Sequence, residues 1–565
     1  MVHPKCRIVR EGDALADAMT PIYPTTAGLT QKAISKLIQQ ALLQVQAAQV
    51  CDTVPNHILR HRHLPSFHES VQCIHSPTPE MSVEMLQART HPAWQRIKFD
   101  ELLAQQLSMR THYRQRRSLA APILMPQHRL TQQFLAQLNF KLTPAQIKVS
   151  TEISHDLATA FPMQRLLQGD VGSGKTIVAA LAALQAIENA YQAAIMAPTE
   201  ILAEQHYQKL AAWFEPLGVR IAWLSGHQKQ RHKQAALDQI ESGAAQLAIG
   251  THALFQDQVN FQQLGLAIID EQHRFGVQQR LSLRTKGTQS GYLPHQLMMS
   301  ATPIPRTLSM SYFADLDVSI IDELPPGRTP IITKLIADNR RDEVIARVQH
   351  ACRQSKQVYW VCPLIEESET LQLQTALATY ENLRAIFPDL AIGLVHGRLP
   401  TLEKVQVMAG FKRGEIQLLI ATTVIEVGVD VPNASLMVIE NAERMGLAQL
   451  HQLRGRIGRG SESSVCILLY QQPLSETARK RLKIIFEHTD GFEIARQDLQ
   501  LRGPGEFLGA RQSGIPMLRF ADLEQDDKLL SAAQAAADEM LTAHPMLAQQ
   551  HIARWLGEKT EYLRV

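Results

Sequence analysis

Short apolar runs separated by helix-spaced polar segments dominate the stretch from about residue 142 to 470. Residues 193–197, 246–249, 266–269 and 296–299 are compact apolar runs, and all but the second pass straight into a polar motif. That alternation predicts a parallel α/β sheet, whose ligands gather at the carboxyl ends of strands. After Pro325-Pro326-Gly327, which predicts a linker, residues 358–361, 391–395, 418–420, 436–439 and 465–469 repeat the scheme. The two units share an architecture without an evident sequence repeat. Elsewhere the pattern is helical. Thr30 is the expected N-cap of a helix through residue 44, with Ile34, Leu37, Ile38, Ala41 and Leu42 on one face. Prolines and histidines recur over 55–92 and predict short helices joined by turns. Residues 94–117 predict a long helix with Ile97, Leu102, Leu103 and Leu107 apolar and a basic end, Arg110, Arg114, Arg116 and Arg117. Cations suit a helix C-terminus, and contact with DNA is the alternative. Beyond about residue 480 helices are expected, with one Gly/Pro interruption at 502–514.

A chain of 565 residues should fold as three or four domains. Its 45% hydrophobic and 20% charged residues are ordinary for a globular protein, and a net charge of +3 confines any nucleic-acid surface to local patches. Cys6, Cys51, Cys73, Cys352, Cys362 and Cys466 lack metal or CxxC spacing, so buried thiols in a reducing compartment are expected. Neither an apolar signal region nor a bilayer-length apolar run is evident, which predicts a cytoplasmic protein without a membrane partner.

The chemistry centres on Gly169-Asp170-Val171-Gly172-Ser173-Gly174-Lys175-Thr176, which fits G-x-x-x-x-G-K-S/T between a strand-like run and the helix-spaced residues 177–187. Gly169, Gly172 and Gly174 let backbone N–H groups close on phosphates at a helix N-terminus. Lys175 is expected to neutralise the β/γ-phosphates and Thr176 to offer its hydroxyl to Mg²⁺, which makes ATP and Mg²⁺ the cofactors. Asp270-Glu271 follows a buried strand: Asp270 would hold Mg²⁺, and Glu271 would orient and deprotonate the attacking water. In Gln452-Leu453-Arg454-Gly455-Arg456-Ile457-Gly458-Arg459, Arg456 and Arg459 suit developing charge on the γ-phosphate. The first unit offers no such arginine, so a composite site closed between the units is expected, its cleft opening and closing with nucleotide.

Ser300-Ala301-Thr302, Ile420-Ala421-Thr422-Thr423-Val424-Ile425-Glu426-Val427-Gly428-Val429-Asp430 and residues 452–459 resemble the ordered motifs of superfamily-two helicases. The resemblance covers about residues 140–470 and implies an α/β fold with two RecA-like parallel-sheet helicase domains in tandem. It implies that Gln146, in Leu142-Thr143-Pro144-Ala145-Gln146, reads the adenine with Phe140 near the base, and that Asp430 sits near the nucleotide. Thr199 and Thr251 would touch a strand backbone from the first unit, and Thr422 and Thr423 from the second. Ser300 and Thr302 would couple hydrolysis to movement. Leu453 departs from the pattern, since many relatives carry arginine there.

Residues 490–509 with Gln512-Ser513-Gly514 resemble the translocation motif of RecG-type helicases, which the transcription-repair coupling helicase shares. Thr302-Pro303-Ile304-Pro305-Arg306-Thr307, the helical region before Leu142 and the chain length favour the RecG type. The resemblance implies a monomeric, ATP-dependent double-stranded DNA translocase acting on branched DNA, such as replication forks and Holliday junctions, in recombination and repair. Arg502 and Gln512 would couple the motor, and a single-stranded-DNA-binding protein would be a partner. It also implies a domain order. Residues 1–25 would be a remnant of the wedge, an oligonucleotide-binding barrel, and 26–135 a helical linker region. The helicase ATP-binding domain would span 136–325 and the helicase C-terminal domain 326–480, with 481–565 forming the translocation hairpin and C-terminal helices. An RNA-unwinding helicase is disfavoured by residues 502–512. A nucleotide-gated binding module with little hydrolysis is disfavoured by Lys175, Asp270, Glu271, Arg456 and Arg459.

Overall fold

The computed structural model describes residues 19, 21–24, 28–47, 51–226, 228–256, 258–271, 291–301, 316–325, 330–362, 369–422, 431, 433–458, 460, 463–502, 518–523 and 525–557. They fall into two compact units, one of residues 1–114 with 514–564 and one of residues 115–513 with 565.

The first unit is helical in its described parts and brings together segments from opposite ends of the chain. Helices Gln31–Ala47, Asn56–His61, Phe67–His75 and Val83–Gln87 precede the long helix Pro92–Arg117, and Asp527–Ala543 and Pro545–Leu556 come from the other end. The expected cap forms, with Thr30 Oγ1 accepting from Ala33 N at 3.3 Å, and Ser66 with Glu69 adds a capping box that was not foreseen. The predicted apolar stripe of Ile97, Leu102, Leu103 and Leu107 is buried. Beside it lies a polar core. Arg96, with no exposed surface, donates to Asp100 at 2.7 Å, to Asp52 at 2.6 Å and to the Pro65 carbonyl at 2.8 Å. Glu101 accepts the N–H groups of Arg519, Phe520 and Ala521 at 2.6, 2.9 and 2.9 Å, and Lys98 meets Asp526 at 3.0 Å. His551 donates from Nε2 to the Asp100 carbonyl at 2.9 Å, which leaves Nδ1 to accept from Thr53 at 2.7 Å. The basic end of the long helix is spent on protein contacts. Arg110 pairs with Asp538, and Arg114 donates to the Leu541 carbonyl at 3.0 Å. Cys51 is exposed, unlike the buried thiol expected, because its segment is held through its carbonyl, which accepts from Arg554 at 2.8 Å.

In the second unit Arg116 donates to Asp317 at 3.2 Å and Arg117 stacks on the Phe161 ring. Two parallel sheets follow. The first contains β1 (Gln164–Gly169), β2 (Gln192–Met196), β3 (Ile221–Leu224), β4 (Leu247–Gly250), β5 (Leu264–Ile269), β6 (His295–Ser300) and β7 (Asp317–Ile321), in the order β3-β4-β2-β5-β6-β1-β7. The second contains β8 (Ile332–Ala337), β9 (Gln357–Val361), β10 (Ile392–Val395), β11 (Leu418–Ala421), β12 (Ala434–Ile439) and β13 (Val465–Tyr470), in the order β10-β11-β9-β12-β13-β8. These are the two RecA-like sheets. β3, β7 and β8 are not among the predicted strands. All three lie at sheet edges; in β7 and β8 the polar residues Asp317, Ser319 and Lys334 interrupt the apolar run, whereas β3, Ile221-Ala222-Trp223-Leu224, is uninterrupted. Burial pushes Cys352 up to about 11 and Cys466 up to about 12, so both are inert thiols. No described helix is long and apolar enough to cross a membrane.

Candidate active site

β5, β6 and β1 are neighbours, with Ile269 paired to Met298 and Gln168 paired to Ser300. Their carboxyl ends therefore set Asp270-Glu271, Ser300-Ala301 and the glycine-rich loop side by side, one interstrand spacing of about 4.8 Å apart. The loop turns through Gly172 and Gly174 at φ of 80° and 89°, a region that strains any side chain. A Cβ at Gly174 would also collide with the Gln146 carboxamide. Gln146 is buried and busy: its Oε1 accepts from Thr143 N at 3.0 Å and its Nε2 donates to the Ser173 carbonyl at 2.8 Å. In this structure it therefore braces the loop. Lys175 opens the helix Lys175–Glu188 and donates to the carbonyls of Gly169 at 2.7 Å and Asp170 at 3.1 Å. Burial lowers its pKa against the opposing pull of Glu271, Asp270 and Asp170.

Asp270 and Glu271 are both buried. Burial alone would raise the pKa of Asp270, but a 2.8 Å hydrogen bond from His206 and the charge of Lys175 bring it below the usual carboxylate value. Glu271 moves the other way, raised by burial and by Asp270, although Lys175, Arg456 and the Ala301 N–H oppose the shift. The environments of the two neighbouring carboxyls thus push their pKa values apart, the pattern of paired groups with different roles. His206 went unnoticed in the sequence. Its signal is a polar residue in the buried stripe Ala203, His206, Leu210, Phe214 of the helix Glu200–Phe214.

From the second sheet, Arg456 is buried and close enough to Lys175 and Glu271 to shift both. It follows the helix Leu447–Arg454, whose His451 reaches Asp170 at 2.5 Å. The approach is tight: a Cβ at Gly455 would come within 2.7 Å of the Val171 side chain. Leu453, the position without the family's arginine, is core.

Other expected residues are placed as follows. Phe140 is 52% exposed and Thr176 is half-buried. Thr199 caps the helix Glu200–Phe214, accepting from Leu202 N at 3.3 Å. Thr251, Ser300 and Thr422 lie buried at the ends of β4, β6 and β11. Arg502 closes the helix Gly491–Arg502. Thr302, Thr423, Asp430, Arg459 and Gln512 lie outside the described residues. Among the described residues no cluster of three metal-ligating side chains exists. Mg²⁺ needs only one or two protein oxygens beside substrate phosphates, and the Asp270 carboxylate with the Thr176 hydroxyl is such a hard-oxygen set.

Two parallel sheets, with a glycine-rich loop on one and Arg456 brought to it from the other, have the architecture of a nucleotide-driven helicase. The DEAD/DEAH box helicase model matches residues 143–311, and the helicase conserved C-terminal domain matches 342–461. A third model, ATP-dependent DNA helicase RecG, domain 3, C-terminal, matches 488–556. The RecG of Pasteurella multocida (strain Pm70) is 52% identical over 566 residues, which cover 100% of this chain and 81% of that relative. The RecG of Escherichia coli (strain K12) is 50% identical over 567 residues with the same coverage. A solved RecG bound to a three-way DNA junction is similar with a TM-score of 0.67 at 39% identity, over 90% of this chain and 66% of that one. The chain belongs to the RecG family of ATP-dependent DNA helicases, and by class it is an ATP hydrolase.

Proposed function

We propose that the chain couples ATP hydrolysis to translocation on double-stranded DNA at branch points. The observation that carries this reading is the convergence of Arg456, from the second sheet, on Lys175 and Glu271 of the first. The loop N–H groups and Lys175 hold the β/γ-phosphates, and Asp270 and Thr176 hold Mg²⁺. Glu271 takes a proton as water attacks the γ-phosphorus; the bond to the bridging oxygen breaks, and ADP and phosphate leave. Arg456, with Arg459, offsets the charge developing on the transferred group. Because those arginines come from the second sheet, the catalytic geometry depends on the separation of the sheets, which is how hydrolysis can drive motion. Branched DNA as the substrate is supported by the relative seen on a three-way junction and by the match over 488–556. Every residue invoked lies in one chain, so a monomer suffices. A single-stranded-DNA-binding protein as partner rests on the family resemblance alone.

The test is steady-state ATPase with forked duplex, linear duplex of equal length, and no DNA. The fork should stimulate most, and Glu271→Gln should bind ATP yet stall. Turnover of Glu271→Gln at the native rate, or no response to either DNA, would sink the reading.

A further inference from the structure

The phosphate loop is held from a side that its own motif does not account for. Asp170, the second loop residue, accepts its neighbour's N–H from Val171 at 2.8 Å and also meets His451 Nε2 at 2.5 Å. On the far side of that ring, Arg454 Nη2 lies 2.9 Å from Nδ1. A guanidinium can only donate, so Nδ1 accepts, Nε2 carries the proton, and the ring donates to Asp170. Tautomer and ring orientation are thereby set. Arg454 is itself buried and donates to the carbonyls of Ile485 at 2.8 Å, His488 at 2.8 Å and Thr489 at 3.1 Å. The other end of the chain of contacts is Asp170's own main chain. Its carbonyl, with that of Gly169, holds the Lys175 ammonium.

We infer that His451 is a positioning residue for nucleotide binding. Through Asp170 it sets the main-chain carbonyl against which Lys175 rests, and so the shape of the phosphate cradle. The second sheet then governs how well the first binds ATP, in addition to supplying Arg456 for the chemistry. Asp170 is held low in pKa by the hydrogen bond from His451, with the Val171 N–H and the charge of Lys175, against the pull of burial. Without that donor a largely desolvated carboxylate would lose its strongest partner and the loop would relax around it. The contact is specific in geometry, since the bond runs from Nε2 to Asp170 Oδ1 and the packing of Gly455 on Val171 leaves the loop no room to retreat toward the helix.

The inference rests on reading 169–176 as the ATP site, and the experiment separates the two. ATP KM and kcat are measured for the unaltered chain, His451→Phe, His451→Gln, Asp170→Ala and the His451→Phe/Asp170→Ala double variant. Equilibrium binding of a non-hydrolysable ATP analogue and far-UV circular dichroism are recorded on the same preparations. His451→Phe keeps the ring volume without the donor and should raise KM by about tenfold, the loss of one charge-assisted hydrogen bond. Its kcat at saturating ATP should fall by no more than about threefold. His451→Gln, whose amide N–H can point where Nε2 does, should recover most of the affinity. The double variant should be no worse than the poorer single, because both remove one link. If His451→Phe does not fold, Asp170→Ala removes the same link from the loop side and carries the same KM prediction. Unchanged KM with reduced kcat, or additive losses in the double variant, would overturn the inference. An unaltered chain that neither binds nor hydrolyses ATP would instead overturn the reading of the loop.

Discussion

The two sheets of the second unit are copies of one plan with different ends. The order β3-β4-β2-β5-β6-β1 of the first matches β10-β11-β9-β12-β13-β8 of the second, strand for strand. The equivalence extends to single hydrogen bonds. Asp270 N donates to the carbonyl of Met196 at 2.8 Å, and Glu440 N, at the same place in the second sheet, donates to Val361 at 2.9 Å. Both strands thus end in a buried carboxylate. Asp270 feels the charge of Lys175, with Oδ2 on His206 at 2.8 Å and Oδ1 accepting only the Glu271 N–H at 3.0 Å, so among the described residues no lysine or arginine is hydrogen-bonded to it. Glu440 is consumed by Arg341 and by Trp360 Nε1 at 2.8 Å. After β1 the chain forms a glycine turn, whereas after β8 it runs through Asp338-Asn339-Arg340, which has no glycine to cradle a phosphate. One architecture therefore yields a nucleotide cradle in one copy and a rigid presenter of cations in the other.

The comparison breaks first at Arg456. Arg456→Ala should lower kcat on the order of a thousandfold while ATP still binds, if the second sheet supplies transition-state charge. Single-turnover hydrolysis at saturating ATP reads this, and a native rate would mean the first sheet works alone. Next in size, Lys175→Ala should cost on the order of a hundredfold in kcat with an unchanged circular dichroism spectrum. A comparable rate would show that the cradle is ornamental. The smallest effect sharpens the contrast between the two carboxylates. Glu440→Gln should lower stability by about 1–2 kcal/mol through the weakened bond to a charged partner, with kcat per folded molecule intact. Asp270→Asn should do the reverse, sparing the melting temperature and stopping turnover. If both substitutions behave alike in thermal melts and in ATPase, the two strand ends are not functionally distinct.

Much of the plan was legible in the chain. Central strands declare themselves because burial on both faces demands continuous apolar runs, as at Leu266-Ala267-Ile268-Ile269. The phosphate loop is legible for a related reason: it is a property of eight consecutive residues, two of which, Gly172 and Gly174, take backbone angles that only glycine adopts freely, running into a helix start. Thr143 and Gln146 could be placed near it, yet their capping box, and the brace from Gln146 to Ser173, belong to local geometry that a motif does not spell out. The edge strands β7 and β8 were hidden because Asp317, Ser319 and Lys334 break their apolar runs, whereas β3, Ile221-Ala222-Trp223-Leu224, is an apolar run that went unpredicted.

Sequence alone pointed to the central strands, the glycine-rich loop and the acidic pair, since each is written within a turn, a strand or a helix period. Tertiary structure alone decided who meets whom. His206 finds Asp270 across 64 positions, His451 finds Asp170 across 281, and Glu101 caps Ala521 across 420. Such pairs cost chain entropy to close and are selected by the packing of whole sheets and helices, so no local period records them. The basic end of the helix Pro92–Arg117 is a case in point. The pattern reads first as cations at a helix C-terminus and second as a DNA contact, and it does not foretell that Arg110 pairs with Asp538, Arg114 with the Leu541 carbonyl and Arg116 with Asp317.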